Sequence, residues 1–149
     1  MKKNIGFSLV ELLIVITIIA LLSTIILNSV STSRARAYDS KVRQQLAGFR
    51  TAAEIYYLNK GGYEESDNVI NICTAGIFTD IDQVDGAPGL YIDPANLPSF
   101  TQLKCGSEKN SFAIKATLFS GNQYWCVDSK GVSKAIPGEI GNSETVCPF

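Results

Sequence analysis

The chain has 149 residues, a formal net charge of −1, four cysteines and no histidine. That length holds one domain. Without histidine there is no Ser–His or Cys–His nucleophile pair and no histidine base, and no glycine-rich phosphate loop precedes a helix, so the composition implies neither an enzyme nor a cofactor.

The N-terminus is the most informative segment. Lys2 and Lys3 are followed by Asn4-Ile5-Gly6 and then by an apolar run, residues 7–27, interrupted by a single acid, Glu11. As a helix that run spans roughly 30 Å, the thickness of a bilayer's hydrocarbon core. A carboxylate there costs about 2.5–3.5 kcal/mol on insertion scales, so Glu11 calls for a partner that a plain anchor does not supply. A secretory signal peptide fits poorly: the apolar core is too long and no small-x-small cleavage site follows it. Gly6 instead precedes the run, and cleavage there leaves the apolar helix on the mature chain.

Lys2-Lys3 with Gly6-Phe7-Ser8-Leu9-Val10-Glu11-Leu12-Leu13-Ile14-Val15 resembles the N-terminus of type IV pilins and pseudopilins. The family pattern is a short basic leader, a glycine before the cut, a phenylalanine that becomes the first mature residue, and a glutamate four positions later. The resemblance covers roughly the first 30 residues. It implies a leader over residues 1–6, cleavage between Gly6 and Phe7 by a prepilin peptidase, N-methylation of Phe7, and assembly through Glu11 into a filament. Many relatives carry a helix-bending proline where this chain has Asn28.

The helix is expected to continue past the membrane. Tyr38, Val42, Leu46, Phe49, Ala53 and Tyr56 recur at spacings of three and four, one stripe of a 3.6-residue period, while Arg36, Lys41, Arg43, Gln44 and Arg50 mostly fall elsewhere. One helix over residues 7–58 is predicted, transmembrane over 7–27 and amphipathic beyond, stopped by Gly61-Gly62. Its stripe is read as core, packed on a C-terminal sheet. The positive-inside count is mixed, since Arg34, Arg36, Lys41 and Arg43 follow the apolar run. The cysteines beyond that run and the resemblance place the N-terminus inside.

Residues 59–149 are expected to form a head. Over residues 59–110, Pro88-Gly89, Pro94, Pro98 and scattered Asp and Asn signal loops. In a β-meander over residues 111–136, Phe112, Ile114, Ala116 and Leu118 alternate with Ala113, Lys115, Thr117 and Phe119. Ser120-Gly121-Asn122 is a turn, Gln123-Tyr124-Trp125-Cys126-Val127 a second strand, Asp128-Ser129-Lys130-Gly131 a second turn, and Val132 to Ile136 a third strand. A tail ends in Cys147-Pro148-Phe149. The fold class is therefore α+β: a long N-terminal helix on a small antiparallel sheet, as in the pilin fold the resemblance implies.

Cys73, Cys105, Cys126 and Cys147 all lie beyond the apolar run and form no C-x-x-C pair, so two disulfides in an oxidising compartment are expected rather than a zinc cage. Four cysteines allow three pairings. The expected one is Cys73–Cys105, closing the irregular region, with Cys126–Cys147 tying the tail to the middle strand, as a disulfide commonly pins the end of the pilin head. Asp80-Ile81-Asp82-Gln83-Val84-Asp85-Gly86 looks only faintly like a calcium loop: the third acid is one place late and no glutamate closes it, so no metal site is assigned. Tyr124 and Trp125 read as strand aromatics, at least one of them buried. The basic stretch from Arg34 to Arg50 reads as solvated or subunit-facing, with nucleic acid an unfavoured partner.

Charge is divided along the chain. Residues 1–58 hold seven Lys/Arg and three Asp/Glu, net +4, and residues 59–149 hold six and eleven, net −5. Two ordinary solvated surfaces give such a split, as does complementary packing of basic stems beside acidic heads. The resemblance implies a structural subunit that polymerises with itself. Its partners would be a prepilin peptidase and an inner-membrane assembly platform. It would wait in the bacterial inner membrane as a single-pass precursor and end in an extracellular or periplasmic filament. The rival readings are a pseudopilin of type II secretion and, in another class, a membrane-anchored extracytoplasmic binding protein that never polymerises.

Overall fold

The computed structural model describes residues 6–65, 67, 71–121, 123–137 and 144–148. Two compact units are divided between Ala35 and Arg36. One helix, α1 (Leu9–Lys60), runs through both. In the first unit the residues from Phe7 to Ile26 are exposed on every side, and α1 is the one helix among the described residues long and apolar enough to cross a membrane. Its hydroxyls turn inward to their own backbone. Thr17 donates to the Ile14 carbonyl, Ser23 to Ile19 and Thr24 to Leu21, each at 2.8 Å. Each of these three hydroxyls is thereby satisfied within its own helix, as an apolar surround requires.

In the second unit, Arg36–Phe149, α1 is amphipathic. Val42, Leu46, Phe49 and Ala53 are fully buried, so the centre of the predicted stripe is core, whereas Tyr38 at its start is 42 % exposed. Gly48, the sole glycine in α1, lies under the Tyr91 ring, leaving no room for a β-carbon. The helix stops at Gly61, whose φ of 76° is left-handed and whose N–H donates to the Tyr57 carbonyl at 2.8 Å.

Four antiparallel strands follow in sequential order: β1 (Leu103–Glu108), β2 (Ser111–Thr117), β3 (Gln123–Asp128) and β4 (Ser133–Pro137). The expected meander of three strands is thus corrected to four. Strand β1 falls in the predicted loop region, and Leu-Lys-Cys-Gly-Ser-Glu is poor in β-formers. Its pairing is imposed from outside: it runs against β2 from Leu103↔Ala116 to Glu108↔Ser111, and Ser107 donates to Glu64. The loop region also holds two 3-10 turns, Gly76–Thr79 and Gln83–Asp85, and a short helix α2 (Pro88–Tyr91).

The sheet is covered on both faces. Phe112, Ile114, Ala116 and Val127 pack on the α1 stripe, with Phe49 between Phe78 and Phe112 at ring separations of 5.5 Å. Ala113, Tyr124, Cys126 and Ile136 form a smaller core on the other face with Cys147 of the tail. Asp39, buried on α1, accepts from the Phe119 N–H at 2.6 Å and from the Ser120 hydroxyl, which fastens the β2–β3 turn to the helix.

Candidate assembly site

Gly6 and Phe7 lie in non-helical, exposed backbone just ahead of α1. Among the described residues, nothing stands within 4 Å of where a β-carbon on Gly6 would be. Lys2 and Lys3 lie outside the described residues.

Glu11 sits in the first turn of α1 and its Oε2 accepts from the Ser8 N–H at 2.9 Å. The Ser8 carbonyl in turn accepts from the Leu12 N–H at 3.2 Å, which makes Ser8 the residue flanking the helix start. This is the glutamate half of a capping box, and a carboxylate there also meets the positive end of the helix dipole. The partner that Glu11 calls for is thus supplied in part by its own chain. Ser8-x-x-Glu11 is a readable signal for this, one the apolar context obscures.

In the head, Cys73 bridges Cys105 and Cys126 bridges Cys147, with Cα separations of 5.1 and 6.0 Å. The first ties the loop region to β1 and the second ties the tail to β3. Polar contacts among the described residues also hold the tail, including a 3.3 Å bond from the Thr145 hydroxyl to Glu108. The Lys115 ammonium, on a side chain 3 % exposed, pairs with Glu144 at 2.7 Å. Asp128 accepts the Cys147 N–H at 2.9 Å.

The acidic loop uses its carboxylates locally. Asp80 accepts from the Asp82 N–H and Asp82 from the Val84 N–H, both at 3.0 Å, and Asp85 pairs with Lys60 at 2.6 Å. The bond to Asp85 and its charge raise the Lys60 pKa. Trp125 is half-buried with the Arg43 guanidinium 4.5 Å from its ring centroid, while Tyr124 is buried.

A family model described as the prokaryotic N-terminal methylation motif matches residues 1–27. Two relatives align with nearly the whole chain. The fimbrial protein EcpC of Eikenella corrodens is 28 % identical over 145 residues, covering 96 % of this chain and 94 % of the relative. The type IV wide pilus major component PilA4 of Thermus thermophilus is 27 % identical over 150 residues, covering 99 % of this chain and 100 % of the relative. With that motif at the head of a long apolar helix, an antiparallel sheet behind it and relatives of this kind aligned over nearly its whole length, the chain is similar to type IV pilins throughout.

Proposed function

We propose that this protein is a structural subunit of a type IV pilus-like filament. It is held in the bacterial inner membrane by residues 7–27, cut after Gly6 by prepilin peptidase, N-methylated on Phe7, and then passed by an assembly platform into a helical polymer. The observation that carries this reading is the start of α1: an exposed Gly6–Phe7 peptide, then a helix apolar on every side that keeps one carboxylate, Glu11, in its first turn. A monomeric anchor gains only a helix cap from that carboxylate, which an uncharged acceptor supplies without the cost of a charge in an apolar segment. The fimbrial and pilus names of the two relatives support a pilus over a secretion pseudofilament.

Cleavage frees the Phe7 amine as a cation beside the positive end of the helix dipole, an unfavourable place in lipid. The Glu11 of a neighbouring subunit neutralises it on addition. Desolvation offsets much of that attraction, so the pair sets register and selectivity more than net stability. Glu11 would then exchange its Ser8 N–H for a partner in the next subunit.

Two substitutions separate the steps. Gly6→Val leaves full-length precursor in the membrane, and intact mass of wild-type filaments gives a methylated Phe7 start; a mature start beyond residue 27 would overturn the cleavage reading. Glu11→Gln keeps an acceptor for the Ser8 N–H but removes the charge. It is expected to insert, be cleaved and assemble poorly, as is Glu11→Val. Wild-type filament yield from either variant refutes the charge pairing.

A further inference from the structure

The head has two unlike flanks on opposite sides of α1. Arg36, Arg43 and Arg50 recur every seven residues, so they form one row along the helix, about 21 Å long. The row lies on the β3–β4 side: Arg43 covers the Trp125 ring, and Arg50 donates to the Gly131 carbonyl at 3.2 Å, in the turn where Lys130 is exposed. Gln45, Ala52 and Asn59 form a second seven-residue row. It begins nine residues after Arg36, roughly two and a half turns, and therefore on the opposite side of the helix.

The loop region covers that second row. Gly86 packs on the Ala52 carbonyl, and Asn59 donates to the Val84 carbonyl at 2.8 Å. This region is one-signed: residues 61–102 contain seven acids and no Lys or Arg. Its outer surface carries Asp80, Asp82 and Asp93 around aliphatic tips, with Ile81 66 % and Val84 78 % exposed. Between this loop and α1 lies an open cleft of about 400 Å³ lined by Gln45, Gln83, Tyr91 and Asn96. Carboxamide oxygens beside an aromatic ring suit a guanidinium.

We propose that the acidic, aliphatic-tipped flank of residues 80–93 docks on the Arg36–Arg43–Arg50 flank of a second copy of this chain. The inference rests on the filament reading above and names the head-to-head contact within it. Opposite charges ring apolar contact area, the arrangement that gives register and partner selection. Because each molecule offers both unlike surfaces on opposite sides, the contact is heterologous and does not close into a two-fold dimer; repeated, it extends a helix.

The test is a charge exchange in the full chain, expressed beside a pilus assembly machinery. Arg36→Glu/Lys130→Glu cancels the positive charge of the arginine flank and sets two carboxylates against the acidic loop, and Ile81→Lys/Val84→Lys sets two ammonium groups on the loop flank while keeping the aspartates that cap its turns. Each variant alone should be processed and disulfide-bonded yet yield at least about tenfold fewer filaments. Co-expressed, the two should restore filaments containing both subunits. Wild-type yield from either variant alone, or no restoration from two folded variants, overturns the contact. So does unchanged filament yield with lost retention of duplex DNA by the first variant, which assigns the arginine row to nucleic acid. If the wild type itself accumulates only as processed membrane monomer, the filament reading fails and the contact with it.

Discussion

Asp128 has no solvent exposure and accepts three backbone N–H groups. Oδ1 takes Lys130 at 3.0 Å and Val132 at 2.9 Å, shaping the β3–β4 turn; Oδ2 takes Cys147. The turn was legible, because Asp-Ser-Lys-Gly is a local signal. The bond to Cys147 was not, because only the fold brings the tail to β3. Asp128→Ala leaves the buried Cys147 N–H and two part-buried turn donors unpaired and is expected to destabilise the head by roughly 2–3 kcal/mol. Asp128→Asn keeps an oxygen for the turn but presents an amide to the Cys147 N–H, so it should cost less and chiefly free the tail. Chemical denaturation gives the first quantity and amide exchange at Cys147 the second. Equal losses in both variants would contradict this division between the two carboxylate oxygens. Glu11 is the opposite case at this scale: its bond to Ser8 spans three residues and stands in the sequence as a capping box.

Elements differ in legibility for the same reason. The head half of α1 could be read because a 3.6-residue stripe survives any detail of packing, and Val42, Leu46, Phe49 and Ala53 are its buried result. Strand β2 could be read from its alternation: Phe112, Ile114 and Ala116 face the helix while Ala113 and Lys115 face the tail. Strand β1 could not, since its extended form comes from β2, from Glu64 and from the Cys73 bridge rather than from its own residues. The two bridges therefore guard different elements, and removing them should fail differently. In the chain-entropy model each is worth roughly 3 kcal/mol, less where the unfolded chain retains structure. Cys126→Ser/Cys147→Ser should release the tail and bare the small outer core, giving early proteolytic cuts near the C-terminus with the helix–sheet core intact. Cys73→Ser/Cys105→Ser should instead admit cuts within residues 61–102. Identical fragment patterns by limited proteolysis and mass spectrometry would refute the assignment of separate elements to the two bridges.

At the scale of the whole molecule, the buried core belongs to one unit. Both apolar clusters lie within Arg36–Phe149, while the residues from Phe7 to Ile26 are exposed. A fragment Arg36–Phe149 is therefore expected to fold without the apolar segment, with both disulfides formed, and to melt cooperatively. Its stability should fall in alkali. The Tyr63 hydroxyl donates to Glu54 at 3.0 Å; burial first, then that bond and the Glu54 charge, raise its pKa well above the ordinary tyrosine value. Tyr56 is raised as well, by burial and then by Asp80 and Glu64, and Lys60 by Asp85. Each group holds its proton more tightly folded than unfolded. Its contribution is then complete below the unfolded value of about 10 and is lost as pH climbs from there toward the folded value. The melting temperature of the fragment should be flat between about pH 7 and 9 on account of these groups and drop above about pH 10. Tyr63→Phe retains the ring, which sits 4.8 Å from those of both Tyr57 and Phe112, but removes the titrating hydroxyl. It should start less stable at neutral pH by about 1 kcal/mol, the ordinary net worth of one such bond, and lose stability less steeply in alkali. An unchanged alkaline slope in Tyr63→Phe would show that the phenol at the foot of the helix does not govern the fold's response to high pH.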